Sequence, residues 1–319
     1  MKGLGVFLAL IVLSASCAGE SDPTTVDGIE TTSDDFAALH IDVDDLDEDE
    51  RAGSMLLLIL REAFGARAEG DLGVAVDEAD VDAAYQEQVN RYEGRGGIDT
   101  VLEASNQTPA RVRIEAELDT IRDAVGAHLV RSESAEFDLD LAYETYLLSQ
   151  AEVCVRLIQL ASGPEFDVAL SRLDAGEEFA NVARDISIDP FVGREDGVGA
   201  GGDVGCSAPN ALPGGLDVAT LEAPLDEPTG PVIADTGLYL VVVYDRTAPD
   251  LATVRDDVVE LAVETQGPQL FRLWAVDVLQ TIDVDLDGEF GAWGMLPETD
   301  PVPTVVAPSR IGDIIDESS

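Results

Sequence analysis

Three cysteines, Cys17, Cys154 and Cys206, carry the reactive sulfur of this 319-residue sequence. The use of a cysteine depends on its compartment, because thiols persist as disulfides only in an oxidising environment. The N-terminus indicates that compartment, since it contains Lys2, an apolar run over 4–13 and small residues directly before Cys17. This apolar run is too short to span a bilayer, so residues 1–16 predict a secretory signal peptide and an exported chain.

Cys17 directly follows the small-residue site, which resembles a bacterial lipobox, in which the cysteine is acylated and becomes the new N-terminus. The CH₂ groups of the lipid then anchor the protein to a membrane. Ordinary cleavage nearby, with a free thiol at Cys17, is the alternative. If Cys17 carries the lipid, Cys154 and Cys206 remain as a pair, and we expect a disulfide between them. Two buried free thiols are the other interpretation.

A second candidate for chemistry is the acidic stretch Asp283–Gly288, in which carboxylates alternate before a glycine as in the first half of a calcium loop. The twelfth position of that loop is Gly294, where the bidentate glutamate of a calcium site is missing. We therefore expect an acidic strand here and no metal site. The glycines between Gly197 and Gly205 lack the preceding strand and following helix of a phosphate-binding loop, so no cofactor is predicted.

The composition restricts the possible partners. Acidic residues number 65 against 18 basic ones, the formal net charge is −47, and 45% of the residues are hydrophobic. The hydrophobic share is sufficient for a folded core. A protein that binds nucleic acid needs clustered cations, and Lys2 is the only lysine here, so nucleic acid is excluded as a partner. The same charge excludes anionic membrane surfaces, apart from attachment through an N-terminal lipid.

The secondary structure predicted for each segment of the chain decides where these residues lie. Residues 17–50 contain 13 carboxylates and no lysine or arginine, which predicts an acidic tether, with a short strand and a capped helical turn near 26–36. Apolar residues at helical spacing predict an all-helical region over 51–150. From 151 to 247, strand-like and helical segments alternate in the pattern of a compact α+β domain. One long amphipathic helix is predicted over 251–279, and residues 297–319 form an acidic, proline-rich tail that we expect to be disordered.

Five segments within 153–247 occur in a fixed order: LDAGEEFA (173–180), ARDISIDP (183–190), GGDVG (201–205), PTGPV (228–232) and TGLYLVVVYDR (236–246). Together they resemble the parvulin family of peptidyl-prolyl isomerases. The helical region before them resembles the chaperone domain of the PrsA and SurA foldases, and the FGAW sequence at 290–293 resembles the end of that domain.

This resemblance implies an α+β fold with two parts. A discontinuous helical chaperone domain, comprising 51–150 and 248–296, would receive an inserted parvulin domain of four antiparallel strands and several helices over 151–247. The implied activity is rotation about the peptide bond that precedes proline, which needs no covalent step.

The family's active site transfers to this sequence only in part. The two histidines of the family align with Leu157 and Tyr239, and the chain's own histidines, His40 and His128, lie elsewhere. The resemblance implies catalytic positions at three residues, which are Asp189, Thr236 and Tyr239. It implies proline-pocket walls at four, which are Leu157, Val204, Ala211 and Leu216. For Asp189 the alternative is a purely structural turn, in which the carboxylate accepts backbone N–H groups.

The sequence therefore favours an exported, lipid-anchored protein-folding factor at a bacterial cell surface or in a periplasm. Its expected partners are unfolded or newly secreted proteins that contain X-Pro bonds. The absence of both family histidines predicts weak isomerase activity. The rival interpretation is a chaperone or assembly scaffold without catalysis, in which the parvulin module only binds.

Overall fold

The structure is a computed structural model and describes residues 24–93, 96–192, 199–297, 299 and 302–314. The chain divides into two compact units, the first comprising 1–125 and 271–319 and the second comprising 126–270. The predicted α+β class, with a discontinuous helical part and an inserted sheet domain, is confirmed. The predicted signal peptide and Cys17 lie outside the described residues. Within the described ranges, no helix combines the length and apolar character needed to cross a bilayer.

The helices, in chain order, are α1 (Ser33–Ala37), α2 (Glu48–Leu72), α3 (Glu78–Arg91), α4 (Ile98–Ala104), α5 (Pro109–Arg131), α6 (Leu139–Gln150), α7 (Gly163–Asp174), α8 (Phe179–Ile186), α9 (Leu216–Glu222), α10 (Leu251–Thr265) and α11 (Gly267–Thr281). The strands are β1 (Thr24–Val26), β2 (Ile29–Thr31), β3 (Glu152–Leu160), β4 (Asp203–Ser207), β5 (Pro228–Ala234), β6 (Gly237–Thr247), β7 (Val284–Asp285), β8 (Ala292–Gly294) and β9 (Thr304–Val306). Short 3₁₀ helices cover Ala200–Gly202, Pro209–Ala211 and Pro308–Asp313.

Helix α2 supplies much of the core of the first unit. It begins with a capping box in which Asp47 accepts the N–H of Glu50 at 2.9 Å and Glu50 accepts the N–H of Asp47 at 3.0 Å. The carboxylates of the first turn also interact favourably with the positive end of the helix dipole. The helix ends at Gly73, whose φ of 68° is left-handed. Between these ends, Leu58 and Ile59 are fully buried, as the long apolar run of the sequence requires.

The N-terminal segment departs from the predicted tether over 17–50. Strand β1 pairs with both β2 and β7, and Val26, Phe36 and Leu39 are at most 3% exposed. The structure therefore corrects the prediction for residues 24–50, although the short strand and the capped helix near 26–36 are present. A few buried apolar side chains fix this segment in spite of its charge, because its carboxylates point outward or cap helix ends.

The C-terminal segment also departs from its prediction. Strand β9 pairs with β8, where Trp293 lies opposite Val305, and Val305, Val306 and Ala307 are at most 7% exposed. The expected disorder of residues 297–319 is therefore wrong for the β9 strand and the 3₁₀ helix that follows it. The stretch Asp283–Gly288, where a calcium loop was considered, contains β7, which pairs with β1.

The second unit contains a four-stranded antiparallel sheet in the order β4-β3-β6-β5. Strands β3 and β6 are largely apolar, and because successive side chains point to opposite faces, each strand contributes to a core on both faces of the sheet. On one face, α7 and α8 cover a cluster that includes Ile158, Leu240 and Val242. On the other face, α9 covers a second cluster, and this face positions the candidate site.

The second unit is wider than the predicted domain of 151–247. A separate core joins the end of α5, α6, α10 and the start of α11, and it contains Val130, Ala142, Val258, Ala262 and Leu270. The helices that flank the sheet domain in the sequence therefore belong to this unit. The predicted single helix over 251–279 is two helices, α10 and α11. Pro268 explains the break, because proline cannot donate the backbone hydrogen bond that a continuous helix needs.

Candidate functional site

The candidate site is built on the apolar cluster beneath α9, which we call the α9-side cluster. Its buried members are Val153, Val155, Leu212, Leu216, Ala223, Tyr239, Val241 and Val243, and its partly buried members are Leu157, Val204, Leu221, Val232 and Ala234. Strands β3 and β6 provide the floor, because every second residue of a strand points to the same face. The partly buried residues leave an apolar edge that solvent and a ligand can reach.

The structure brings together four of the residues that the family resemblance implies for the site. Leu157, Val204, Leu216 and Tyr239 all belong to the α9-side cluster, with Leu216 fully buried and Tyr239 7% exposed. Ala211 does not belong to it, because this residue ends a 3₁₀ helix and is exposed.

The residue that packs in place of Ala211 is its neighbour Leu212, which is 8% exposed. A larger apolar side chain one position along is the signal that could have identified it. The cluster therefore contains a leucine where the sequence predicted an alanine.

A polar group lies at the hairpin end of this cluster. The hydroxyls of Thr236 and Tyr239 are 2.7 Å apart, and the side-chain amide of Gln159 donates to the Thr236 carbonyl at 2.7 Å. The β5–β6 turn places Thr236 three residues before Tyr239, and Gln159 lies directly opposite Tyr239 in the sheet register. Sequence reasoning missed Gln159, although its position two residues after Leu157 puts it on the same face of β3.

Asp189 lies beside this group and is held by backbone contacts. Ile188 donates its N–H to the Gln159 carbonyl at 2.9 Å, and Ser187 Oγ accepts the N–H groups of Gln159 at 3.1 Å and of Asp189 at 3.2 Å. The carboxylate of Asp189 accepts the N–H of Phe191 at 2.9 Å. Asp189 is not a member of the α9-side cluster, and its carboxylate makes the turn contact that the structural alternative required.

The Gly201-Gly202 pair explains how the glycine-rich segment passes close to β3. A Cβ on Gly202 would lie 2.6 Å from the carbonyl oxygen of Leu157, and the φ of Gly202 is 83°. Only glycine fits this combination of a left-handed backbone and close approach. The pair therefore fixes the start of β4, which carries Val204.

Asp203 ties β4 to the strands beside it. Its carboxylate accepts the N–H of Gly205 at 3.0 Å and the hydroxyl of Tyr244 at 3.2 Å, and it lies 4.0 Å from the Arg156 guanidinium. That guanidinium lies over the Tyr244 ring, 4.8 Å from its centre. Burial, and then the charge of Asp203, raise the pKa of Tyr244. These contacts hold β4 at its N-terminal end.

The other candidate ligands and bases lie apart from the α9-side cluster. Cys154 and Cys206 form a disulfide. Among the described residues, Glu152, Cys154 and Cys206 have donor atoms close enough together to hold a metal ion. Both sulfurs are already used in the disulfide, so they are not available as metal ligands. His40 lies in the first unit, where Nε2 is 2.9 Å from Ser54 Oγ, and His128 lies on α5.

The comparisons with known proteins bear on the fold. No family model matches the chain. The periplasmic chaperone PpiD of Haemophilus influenzae is 30% identical over 104 residues, which is 33% of this chain and 16% of the relative, so the match spans a small part of that protein. A crystal structure of the peptidylprolyl isomerase PrsA from Bacillus cereus superposes with a TM-score of 0.54 at 15% identity, covering 85% of this chain and 95% of that one. The corresponding PrsA from Bacillus anthracis gives a TM-score of 0.41 at 16% identity, with 71% and 95% covered.

The chain has a PrsA-type fold. The four-stranded sheet and its helices correspond to the parvulin part of that fold, and the discontinuous helical unit corresponds to the remainder. The α9-side cluster contains Leu157, Val204 and Leu216, three of the four pocket positions that the resemblance implies. The resemblance aligns Leu157 and Tyr239 with the two histidines of the family.

Proposed function

We propose that the protein is an exported, lipid-anchored protein-folding factor that combines parvulin-type peptidyl-prolyl isomerase activity with chaperone activity. Its partners are unfolded or newly secreted proteins that contain X-Pro bonds. The observation that supports the proposal is the convergence of Leu157, Val204, Leu216 and Tyr239 on one sheet face of a PrsA-type fold. An apolar edge of this kind accepts a proline ring and removes water from the bond before it.

The chemistry asked of this site is rotation, with a barrier of about 18–20 kcal/mol for an uncatalysed peptide bond. A site accelerates rotation when it binds the twisted amide more tightly than either planar form. Thr236 and Tyr239 have two hydroxyl protons, and their mutual hydrogen bond uses one of them. The second proton remains for a substrate carbonyl or for water.

A chaperone without isomerase activity is the second candidate function. The observation that favours it is the position of Asp189, whose carboxylate is used in a turn, together with the apolar side chain at Leu157. In this case the α9-side cluster binds extended segments without accelerating their isomerisation. The net charge of −47 would favour basic clients over acidic ones in either case.

A protease-coupled isomerase assay on a proline tetrapeptide separates the two functions. We expect the full chain to accelerate the cis-to-trans step, and Tyr239→Phe to reduce kcat/KM because it removes one hydroxyl without emptying the core. Tyr85→Phe, on α3 in the first unit, is the matched control and should leave the rate unchanged. A rate equal to the uncatalysed one at high protein concentration, with aggregation of an unfolded client still suppressed, would leave only the chaperone function.

Asp189 is tested in the same assay. We expect Asp189→Asn to retain the turn contact to Phe191, because an amide oxygen also accepts a hydrogen bond, and to lose any effect of the carboxylate charge on substrate. Asp189→Ala loses both. Equal activity of the native chain and Asp189→Asn would assign Asp189 a structural role only.

The lipid anchor at Cys17 is tested in cells. We expect the native chain in the membrane fraction with an acylated N-terminal cysteine detectable by mass spectrometry, and Cys17→Ser in the soluble exported fraction. A native chain that is exported without lipid would contradict this part of the proposal and leave the folding activity untouched.

A further inference from the structure

The disulfide joins two neighbouring strands directly across their ladder. Cys154 on β3 lies opposite Cys206 on β4 in the antiparallel register. Cys154 is 3% exposed, whereas Cys206 is exposed to solvent. One sulfur of the bond is therefore shielded, and the other lies on a residue that a reductant can reach.

Strand β4 depends on this bond more than the other strands of the sheet do. It is an edge strand of five residues, none of which is buried. Its ladder with β3 is interrupted by a register shift between Val155 and Arg156. Val204 is the β4 residue that packs against the α9-side cluster. With so little apolar burial, the strand is held by its short ladder, by the contacts of Asp203 and by the disulfide.

We propose that the Cys154–Cys206 disulfide is a thiol-exchange site, and that its reduction by a dithiol loosens β4 and with it the Val204 wall of the α9-side cluster. The partner is a small or protein dithiol that presents few negative charges. The proposal goes beyond the folding activity proposed above and does not rest on it, because the exchange and the loosening of β4 are measured without a substrate.

The exchange is a two-electron reduction in two steps. A thiolate of the dithiol attacks the Sγ of Cys206, the bond between the two protein sulfurs breaks, and Cys154 leaves as a thiolate that takes up a proton. The second thiol of the reductant then attacks the reductant's first sulfur, which is bonded to Cys206 in the mixed disulfide. Cys206 leaves as a thiolate that is protonated, and the reductant becomes a cyclic or intramolecular disulfide.

The surrounding charges select the reductant. A carboxylate oxygen of Glu152 and the two sulfurs lie within 4.8 Å of one another. Asp245 stands opposite Cys154 in the register with β6. Negative charge at this distance opposes an incoming thiolate, and opposes it more strongly when the reductant carries carboxylates of its own. We therefore expect dithiothreitol to reduce the bond faster than dihydrolipoate, a dithiol that carries a carboxylate, at equal thiolate concentration.

The first measurement counts free thiols over time in the native, full-length protein without denaturant, in either dithiothreitol or dihydrolipoate. We expect two thiols to appear, faster with dithiothreitol, and Glu152→Gln to narrow the difference between the reductants. Glu165→Gln, on α7, is the matched control and should leave both rates unchanged. Thiols that appear only after urea unfolds the protein would overturn the proposal.

The second measurement follows amide hydrogen exchange before and after reduction. We expect exchange in residues 203–207 to rise by an order of magnitude while exchange in residues 237–247 of the central strand β6 stays unchanged. The variant Cys154→Ala/Cys206→Ala should reproduce the reduced pattern. Unchanged exchange in 203–207 after complete reduction would show that the bond does not control β4 and would also overturn the proposal.

Discussion

Removal of the disulfide should lower the free energy of unfolding of the second unit by about 4 kcal/mol. The bond closes a loop with a sequence separation of 52 residues. In the chain-entropy model, the entropy that the cross-link removes from the unfolded chain is about 2.1 + 1.5R ln n cal/mol/K, which for this loop gives about 4 kcal/mol at 25 °C. Cys154→Ala/Cys206→Ala tests this value, because it removes both thiols and leaves no unpaired sulfur.

The two tryptophans allow the effect to be localised. Trp274 and Trp293 are the only tryptophans of the chain, and both lie in the first unit. Their fluorescence therefore follows the first unit in a urea titration, while far-UV circular dichroism follows both units. With a urea m-value of about 2 kcal/mol/M, a loss of about 4 kcal/mol lowers the midpoint of the second unit by about 2 M.

The expected result is thus a circular-dichroism transition that moves to lower urea and a tryptophan transition that does not move. The tryptophan transition of the first unit serves as the internal control, because the disulfide lies in the second unit. A midpoint shift of the second unit below about 0.5 M would refute the entropic argument, since the m-value would then allow a loss of only about 1 kcal/mol. An equal shift of both signals would refute the assignment of the effect to the second unit.

Three further predictions concern single residues. Gly202→Ala should destabilise the second unit by about 3 kcal/mol, because the new Cβ would lie 2.6 Å from the Leu157 carbonyl oxygen on a left-handed backbone. Gly205 has a similar φ but an open Cβ position, so the control Gly205→Ala should cost about 1 kcal/mol in the same urea titration. Burial lowers the pKa of His40 from 6.5, so the unfolded state binds the proton more readily than the folded state. The stability of the first unit should therefore fall as the pH drops below 6.5. His40→Gln should remove this pH dependence of stability when unfolding is followed by tryptophan fluorescence. Burial raises the pKa of Glu117 above 4.5, so its contribution to stability is present at low pH and lost as the pH rises. Glu117→Gln should therefore stabilise the first unit at pH 7. If Glu117→Gln stabilises the unit no more than the exposed control Glu103→Gln, this reasoning is contradicted.

The sequence predicted the order of helices and strands well where the periodic pattern was long. The apolar runs of β3 and β6 identify the centre of the sheet, and the apolar spacing along α5 identifies a helix. The break between α10 and α11 was missed although Pro268 marks it, because the apolar spacing continues on both sides of the proline. Hydrophobic periodicity alone does not show where a backbone N–H donor is missing.

The short strand near 26 was predicted, but its pairing with β7 and the strand β9 were not, for a different physical reason. Val26 and Val306 are each 1% exposed, yet each stands in a segment dominated by acid, threonine or proline. Such a segment is stabilised by its partner strands, which are β2 and β7 for β1 and β8 for β9. Strand β7 is more than 250 residues away from β1 in the sequence. Composition within a window of the chain contains no information about that partner.

The α9-side cluster is apolar although the resemblance aligns two of its members, Leu157 and Tyr239, with the histidines of the family. Leu157 and Tyr239 stand on adjacent strands, where Leu157 lies opposite Val241 and Tyr239 lies opposite Gln159. Both side chains belong to the α9-side cluster, and Thr236, Tyr239 and Gln159 form a polar group at its hairpin end. A pair of hydroxyls and an amide can orient a peptide carbonyl without any change of charge. Tyr239 and Leu216 are buried in the core of the second unit, whereas Leu157 and Val204 are partly exposed, so the client binding proposed above would depend on the exposed pair.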